Sequence, residues 1–299
     1  MVDLLSLLWA PFLMCLVLTG IHAYLGIHVL AREVVFVDIA LAQIAALGAT
    51  AAFLFDFTLE SPVSYAFGLG ATLLGACVLA LTRSRERHVS QEAVIGVVYA
   101  VSAAATVLLM ANAPHGAEHL RGMLVGNIIT VSGSEVARVA LLYGAVGVLH
   151  WLCRRPFFLI STDPERAFRE GWRVRLWDFI FYASFGLVVT SSVRIAGVLL
   201  VFAYLIVPAL AGTALGGASM GRRLMIGWGF GTLVSVLGIT ASATLDLPTG
   251  ATVVCMFGLT LLLGWALRWA TGRISWSMPR VSAHGLGREN GAEREKVKP

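Results

Sequence analysis

The chain reads as an all-α, polytopic helical membrane protein with eight or nine transmembrane helices, and three observations lead there. Of its 299 residues, 58% are hydrophobic and 13% charged, with a mean hydropathy of +0.82, whereas soluble domains carry about 25% charged residues. Apolar runs of roughly 20 residues, the length a helix needs to cross a bilayer, recur from residue 4 to residue 269 with short polar breaks between them. Those runs are continuous, whereas a membrane β-barrel would alternate in hydrophobicity over segments of about 10 residues. Helices also satisfy their own backbone groups inside lipid.

In chain order the spans fall at 4–29, 34–55, 62–82, 92–112, 134–153, 176–192, 195–215, 222–243 and 249–269. The first follows no basic region, so it is expected to be a retained span and not a cleaved signal peptide. Glu92 begins the fourth, where a carboxylate complements the helix dipole. The segment between the fourth and fifth is too rich in glycine and polar residues for a crossing, which predicts an interfacial or re-entrant helix at the outer face. The short span 176–192 is expected to meet its successor in a tight outer turn at 191–194. Pro208 interrupts an apolar span and predicts a kink beside the translocation path.

Between residues 153 and 174 lies the longest inside hydrophilic segment. Thr162 or Asp163 is placed to cap a helix, with Pro164 at its first position, Glu165 able to close a capping box and Gly171 as a stop. A helix of about two turns results, shaped for docking on a soluble partner. From residue 271 the composition turns polar and glycine-rich, which divides the chain into a transmembrane domain, 1–270, and a disordered cytoplasmic tail, 271–299.

Arginines set the orientation. With the N-terminus outside, Arg32, Arg83, Arg85, Arg87, Arg154, Arg155, Arg166, Arg169, Arg173, Arg175, Arg222 and Arg223 fall inside, together with the tail, and chiefly Arg121, Arg138 and Arg194 fall outside. That requires nine crossings and a cytoplasmic C-terminus, or eight if one segment is re-entrant. The formal charge of +5 is therefore a topological signal whose partner is the lipid bilayer, with no nucleic acid implied.

Cys15, Cys77, Cys153 and Cys255 stand singly in apolar runs, where they read as small packing residues and not as a disulfide frame or zinc cluster. Gly217-Ala-Ser219-Met-Gly221 matches the nucleophile pattern GxSxG, but in an inside loop without a preceding strand. Neither HExxH nor GxxxxGK[ST] occurs, so proteolysis and ATP binding are not expected of this chain.

The chemistry centres on Asp38, one turn inside the second span. A carboxylate there costs several kcal/mol unless it faces protein, water or a cation. Counting outward from a turn centred on residues 31–33, His28 and Asp38 lie about 6 to 8 Å along antiparallel helices, and His22 and Gln43 about 15 Å along. Imidazole with carboxylate suits a borderline divalent metal such as zinc, carried as substrate and not as a resident cofactor. For each histidine the plainer reading is a hydrogen bond to a carbonyl. His115 and His119 lie four apart beside Glu118 in the outer segment and form either a metal-entry site or a solvated loop face.

Three stretches together resemble the metal-ion permease family of ABC importers, the ABC-3 type membrane subunits, with the fold of a type II importer permease. They are Leu30-Ala-Arg32-Glu-Val-Val-Phe-Val-Asp38 leading to Gly48; Asp163-Pro-Glu165-Arg-Ala167-Phe-Arg-Glu-Gly171; and Arg194-Ile-Ala-Gly197-Val-Leu-Leu-Val-Phe-Ala-Tyr-Leu-Ile-Val-Pro208-Ala209 with Asp246-Leu-Pro248-Thr-Gly250 after the next span. Order and spacing match over roughly residues 5–270. The resemblance implies uptake of zinc, manganese or ferrous iron by a homodimer in the bacterial inner membrane. It further implies two cytoplasmic ATP-binding cassette subunits contacted through Asp163, Glu165, Ala167 and Gly171, and an extracytoplasmic metal-binding protein. Family members commonly place a histidine one turn after the acid; here Ala42 and Gln43 follow Asp38. The rival reading is a stand-alone secondary transporter driven by protons or sodium, which usually shows paired membrane carboxylates, whereas the sequence shows a single deep acid.

Overall fold

The computed structural model describes residues 2–58, 61–83, 90–111, 116–126, 128–217 and 219–270, and all regular structure among them is helical. The tail expected at 271–299 lies outside the described residues. The chain begins with α1 (Val2–Ala31) and α2 (Val37–Phe53), joined by a tight turn in which Glu33 takes φ 57°. Then come α3 (Pro62–Leu81) and α4 (Gln91–Met110). Ser61 caps α3 by accepting from the Ser64 amide at 3.1 Å, with Pro62 as its first residue, and Ser90 caps α4 by accepting from the Ala93 amide at 3.2 Å.

The outer segment forms α5 (Gly116–Val125), whose 10 residues span only about 15 Å and cannot cross a bilayer. A short 3-10 turn, Ile128–Thr130, leads to α6 (Gly133–Leu152), which starts on a complete capping box between Ser132 and Glu135. The inside segment holds α7 (Arg154–Thr162) and α8 (Pro164–Arg169), and the bundle is completed by α9 (Val174–Leu215), α10 (Met220–Leu245) and α11 (Thr249–Ala270).

Among the described residues seven helices are long and apolar enough to cross a membrane, with α2 a shorter apolar one. One of the seven is α9, whose 42 residues would run about 63 Å if straight, twice the hydrocarbon thickness. It is not straight. Gly197 breaks it at φ 76°, ψ 160°. Before the break α9 runs antiparallel to α1, with Asp178 at Arg32 and Ser192 at His22. After it the direction reverses, because Leu205 and Ala209 pack against Gly26, near the opposite end of α1 from where a straight helix would carry them. The two expected spans are thus both present, giving nine apolar segments, but the turn lies at Gly197 and not at 191–194. The reason is steric: only glycine adopts that φ readily, and a Cβ on Gly197 or on Gly126 (φ +65°) would overlap the other's backbone.

Residues 1–259 pack as one compact unit around α9, and the rest of α11, from Thr260, is a separate helical stretch. The core of that unit is built on Phe181, Tyr182, Phe185 and Tyr204 of α9, all buried. Against it α2 and α3 approach at Gly48 and Gly68, where a Cβ would press on the facing helix's backbone at 2.6 and 2.9 Å respectively. Pro208 is buried where Gly227 and Gly231 of α10 face it, so close helix packing accommodates the proline, and among the described residues the break in α9 lies at Gly197. Large apolar side chains such as Leu74, Leu108 and Leu141 point outward at more than 70% exposure, as a lipid-facing surface does.

Candidate functional site

The start of α2 carries Asp38 in its first turn, 1% exposed. The free N–H groups of that turn give partial compensation for a negative charge. Its Oδ1, however, is sealed from solvent without a hydrogen-bond partner, and among the described residues no ion pair reaches it. Another acid sits at the head of the same helix. Glu92, in the first turn of α4, accepts the Phe36 amide through Oε1 at 3.2 Å and so is fastened to the residue that caps α2, while its Oε2 is sealed and unpartnered. That bond sets Glu92 at the head of α2, on the amide two residues before Asp38.

The histidines expected beside Asp38 are engaged elsewhere. Nδ1 of His28 lies 2.9 Å from Ser161 Oγ, with Tyr24 edge-on at 4.9 Å between centroids. His22 donates from Nδ1 to the Leu18 carbonyl at 2.7 Å, with Nε2 3.2 Å from Ser192 Oγ, which is the plainer reading for a membrane histidine. Gln43 is half-buried and lies five residues after Asp38, about 140° around the helix, so the two share no face. The structure therefore does not bring Asp38, His28, His22 and Gln43 together, and among the described residues no three His, Cys, Asp or Glu side chains converge to hold a metal. His115 and the side chain of His119 lie outside the described residues; Glu118 is exposed on α5.

A second deep acid escapes the sequence reading, which expects only one. Asp178, fully buried near the start of α9, accepts from Arg32 Nη1 at 2.6 Å, and Arg83 Nε lies 3.2 Å from its other oxygen, within ion-pair range though not aligned as a hydrogen bond. Arg32 also donates from Nε to Ser161 Oγ at 2.8 Å and stacks 3.9 Å over the Phe181 ring. Ser161 thereby joins His28, Arg32 and, by donating to the Phe157 carbonyl at 2.7 Å, its own helix α7. The available signal was the lone carboxylate in Leu176-Trp-Asp178-Phe-Ile180, a charge among large apolar residues inside the expected span 176–192.

On the inside segment Asp163 caps α8 by accepting from the Arg166 amide at 2.9 Å, with Pro164 first, as expected; Thr162 instead closes α7, donating to the Phe158 carbonyl at 2.9 Å. Ala167 is fully buried against Ile160 and Val174 and anchors the helix, while Gly171 at φ +78° ends the turn. Glu165, Arg166, Arg169 and Glu170 face solvent. The guanidinium of Arg166, bonded at 2.7 Å, and then the Trp172 indole N–H hold Glu170 below the usual carboxylate range.

Toward the other end of α2 a cavity of about 260 Å³ opens between α2, α3, α5 and α9, lined by Ala45, Ser64, Tyr65, Glu118, Thr190 and Arg194 among others. Arg194 lies over the Tyr65 ring at 5.2 Å. Ala45 is on the Asp38 side of α2, about 10 Å further along.

Comparison with known proteins fits this architecture. The chain is 26% identical over 190 residues to a probable iron transport system membrane protein of Haemophilus influenzae, covering 63% of this chain and 69% of that one. It is also 26% identical over 199 residues to the manganese import system permease protein ScaB of Streptococcus parasanguinis, covering 66% and 70%. Among solved structures it superposes on PsaBC from Streptococcus pneumoniae in complex with Fab with a TM-score of 0.71 at 20% identity, over 88% of this chain and 93% of the other. A model of the ABC 3 transport family matches residues 5–268, and the chain belongs to that family.

Proposed function

We propose that the chain is the permease subunit of an ATP-driven importer for a divalent metal ion, with manganese and ferrous iron ahead of zinc. The observation that carries this reading is Asp38, a carboxylate kept inside the bundle with a sealed, unpartnered oxygen, in a family whose relatives are named for manganese and iron transport. The order of metals follows from ligand chemistry. The imidazoles that favoured zinc are bonded to Ser161, Leu18 and Ser192, and carboxylate oxygens alone suit harder ions.

In this reading the chain has no catalytic activity of its own. Two copies span the inner membrane, N-terminus outside and C-terminus in the cytoplasm. ATP is hydrolysed on a cytoplasmic cassette subunit that docks on the charged face of α8, from Asp163 to Gly171. An extracytoplasmic binding protein delivers the ion to the outer face beside α5. Ion and site must part easily for transport to proceed. The exposed Glu165, Arg166 and Arg169, with Ala167 fixed beneath them, support α8 as the docking element.

The test is reconstitution in proteoliposomes with and without the cassette subunit, following radioactive Mn²⁺. Uptake that needs both ATP and the cassette subunit, and that disappears in Asp38→Asn while assembly is normal, is expected. Uptake by the chain alone on a proton or sodium gradient would overturn the reading in favour of a secondary transporter.

A further inference from the structure

The cation reading of Asp38 leaves a gap, because one carboxylate is a poor site and the expected histidines are bonded elsewhere. Three facts bear on what fills it. Glu92 is fastened at the head of α2 by the Phe36 amide, two residues from Asp38. Each of the two acids has one carboxylate oxygen sealed from solvent and without a partner, Oδ1 of Asp38 and Oε2 of Glu92. Asp38 itself is 1% exposed, so its free oxygen is turned to protein and not to lipid or bulk water.

Two like charges in such surroundings repel, and an unmade hydrogen bond at a buried polar atom adds a further cost. The helix N-termini compensate one carboxylate at the head of each helix, yet each acid still keeps one sealed oxygen with no donor to accept from. A cation removes both costs at once. Resting on the importer reading above, we propose that Asp38 and Glu92 form one two-carboxylate cation site within a single protomer, with Glu92 supplying the oxygen ligand that the missing histidine would otherwise provide. An oxygen-only pair of this kind suits a hard divalent ion such as Mn²⁺ and lacks the imidazole that would favour Zn²⁺. It leaves the remaining coordination positions of an octahedral ion to water, which keeps binding weak enough for release.

Glutamine at position 92 separates charge from position, because its amide oxygen can still accept the Phe36 amide. The experiment is Mn²⁺ binding to the purified, full-length permease assembled with its cassette subunit, read from the electron paramagnetic resonance signal of free Mn²⁺, with proteoliposome uptake alongside. Glu92→Gln and Asp38→Asn are each expected to weaken Mn²⁺ binding at least tenfold, and the double variant to be no worse than the weaker single, since both remove the same site. Wild-type binding and uptake in Glu92→Gln, with Asp38→Asn defective, overturns the pair and leaves the importer reading standing. Wild-type behaviour in both variants overturns the pair and the role of Asp38 together. Should Glu92→Gln not assemble, the decision passes to Glu92→Asp, which keeps the charge but withdraws it by one methylene. Weakened Mn²⁺ binding in that variant supports the site, and unchanged binding overturns it.

Discussion

Asp38 and Asp178 are both aspartates near the starts of membrane helices, both sealed from solvent, yet their surroundings are opposite. Asp178 is gripped by Arg32 at 2.6 Å and approached by Arg83 at 3.2 Å, and Arg32 is in turn braced by Ser161 and the Phe181 ring. Asp38 has a bare oxygen, and the acid Glu92 is fastened two residues away at the Phe36 amide. A buried charge that the protein has compensated is part of the architecture, whereas one left uncompensated is available to something that comes and goes. Burial alone does not tell the two apart; the partner does.

That contrast can be broken most forcefully at the compensated end. Asp178→Ala strands Arg32 in the core, and thermal or denaturant unfolding of the detergent-solubilised protein should show a loss of about 3 to 5 kcal/mol. Replacing both partners, Arg32→Met with Asp178→Leu, should recover most of it, because two apolar groups leave no orphan charge. Less costly is Ser161→Ala, which removes the hydroxyl shared by His28, Arg32 and the Phe157 carbonyl; a loss of about 1 to 3 kcal/mol is expected in the same assay. If that variant unfolds like the parent, the bracing of Arg32 described here is wrong.

At the other end the sign should invert. Asp38→Asn relieves a repulsion with Glu92, so unfolding should show stability between unchanged and about 2 kcal/mol higher, while Mn²⁺ uptake is lost. A destabilised Asp38→Asn would place Asp38 with Asp178 among the architectural charges. The smallest effect belongs to the exposed Arg166–Glu170 pair on α8: Glu170→Gln should leave the melting temperature unmoved, since solvent screens such pairs. Any loss of cassette-subunit binding in that variant would then report on the docking face and not on folding.

How much of this was legible beforehand follows from what each feature depends on. Membrane helices are set by local hydrophobicity, and caps by the residues next to them, so the spans, the Asp163-Pro164 start of α8 and the failure of α5 to cross could be read directly. The family resemblance rested on stretches that the fold gathers: Gly197 and Gly250 belong to one outer junction, although most of two helices separates them in sequence. What the sequence hid is partnership across the bundle. Counting residues from the α1–α2 turn fixes how far along a helix His28 and Asp38 lie but not which way each points, and His28 turns to Ser161, far along the chain. The pairing of Asp178 was hidden because its arginines come from two other segments. Gln43 seemed a substitute ligand by proximity in sequence, until the helical period put it on another face.

The outer junction has one more consequence. Gly126, Gly197 and Gly250 come from the ends or bend of three separate helices, and at each a side chain would run into neighbouring backbone, the Val125 carbonyl in the case of Gly250. Every other amino acid is therefore shut out at three scattered positions for one shared reason. A map of tolerated changes across the whole chain would show three narrow columns where nothing is accepted, rising together from a single crowded spot where three helices meet.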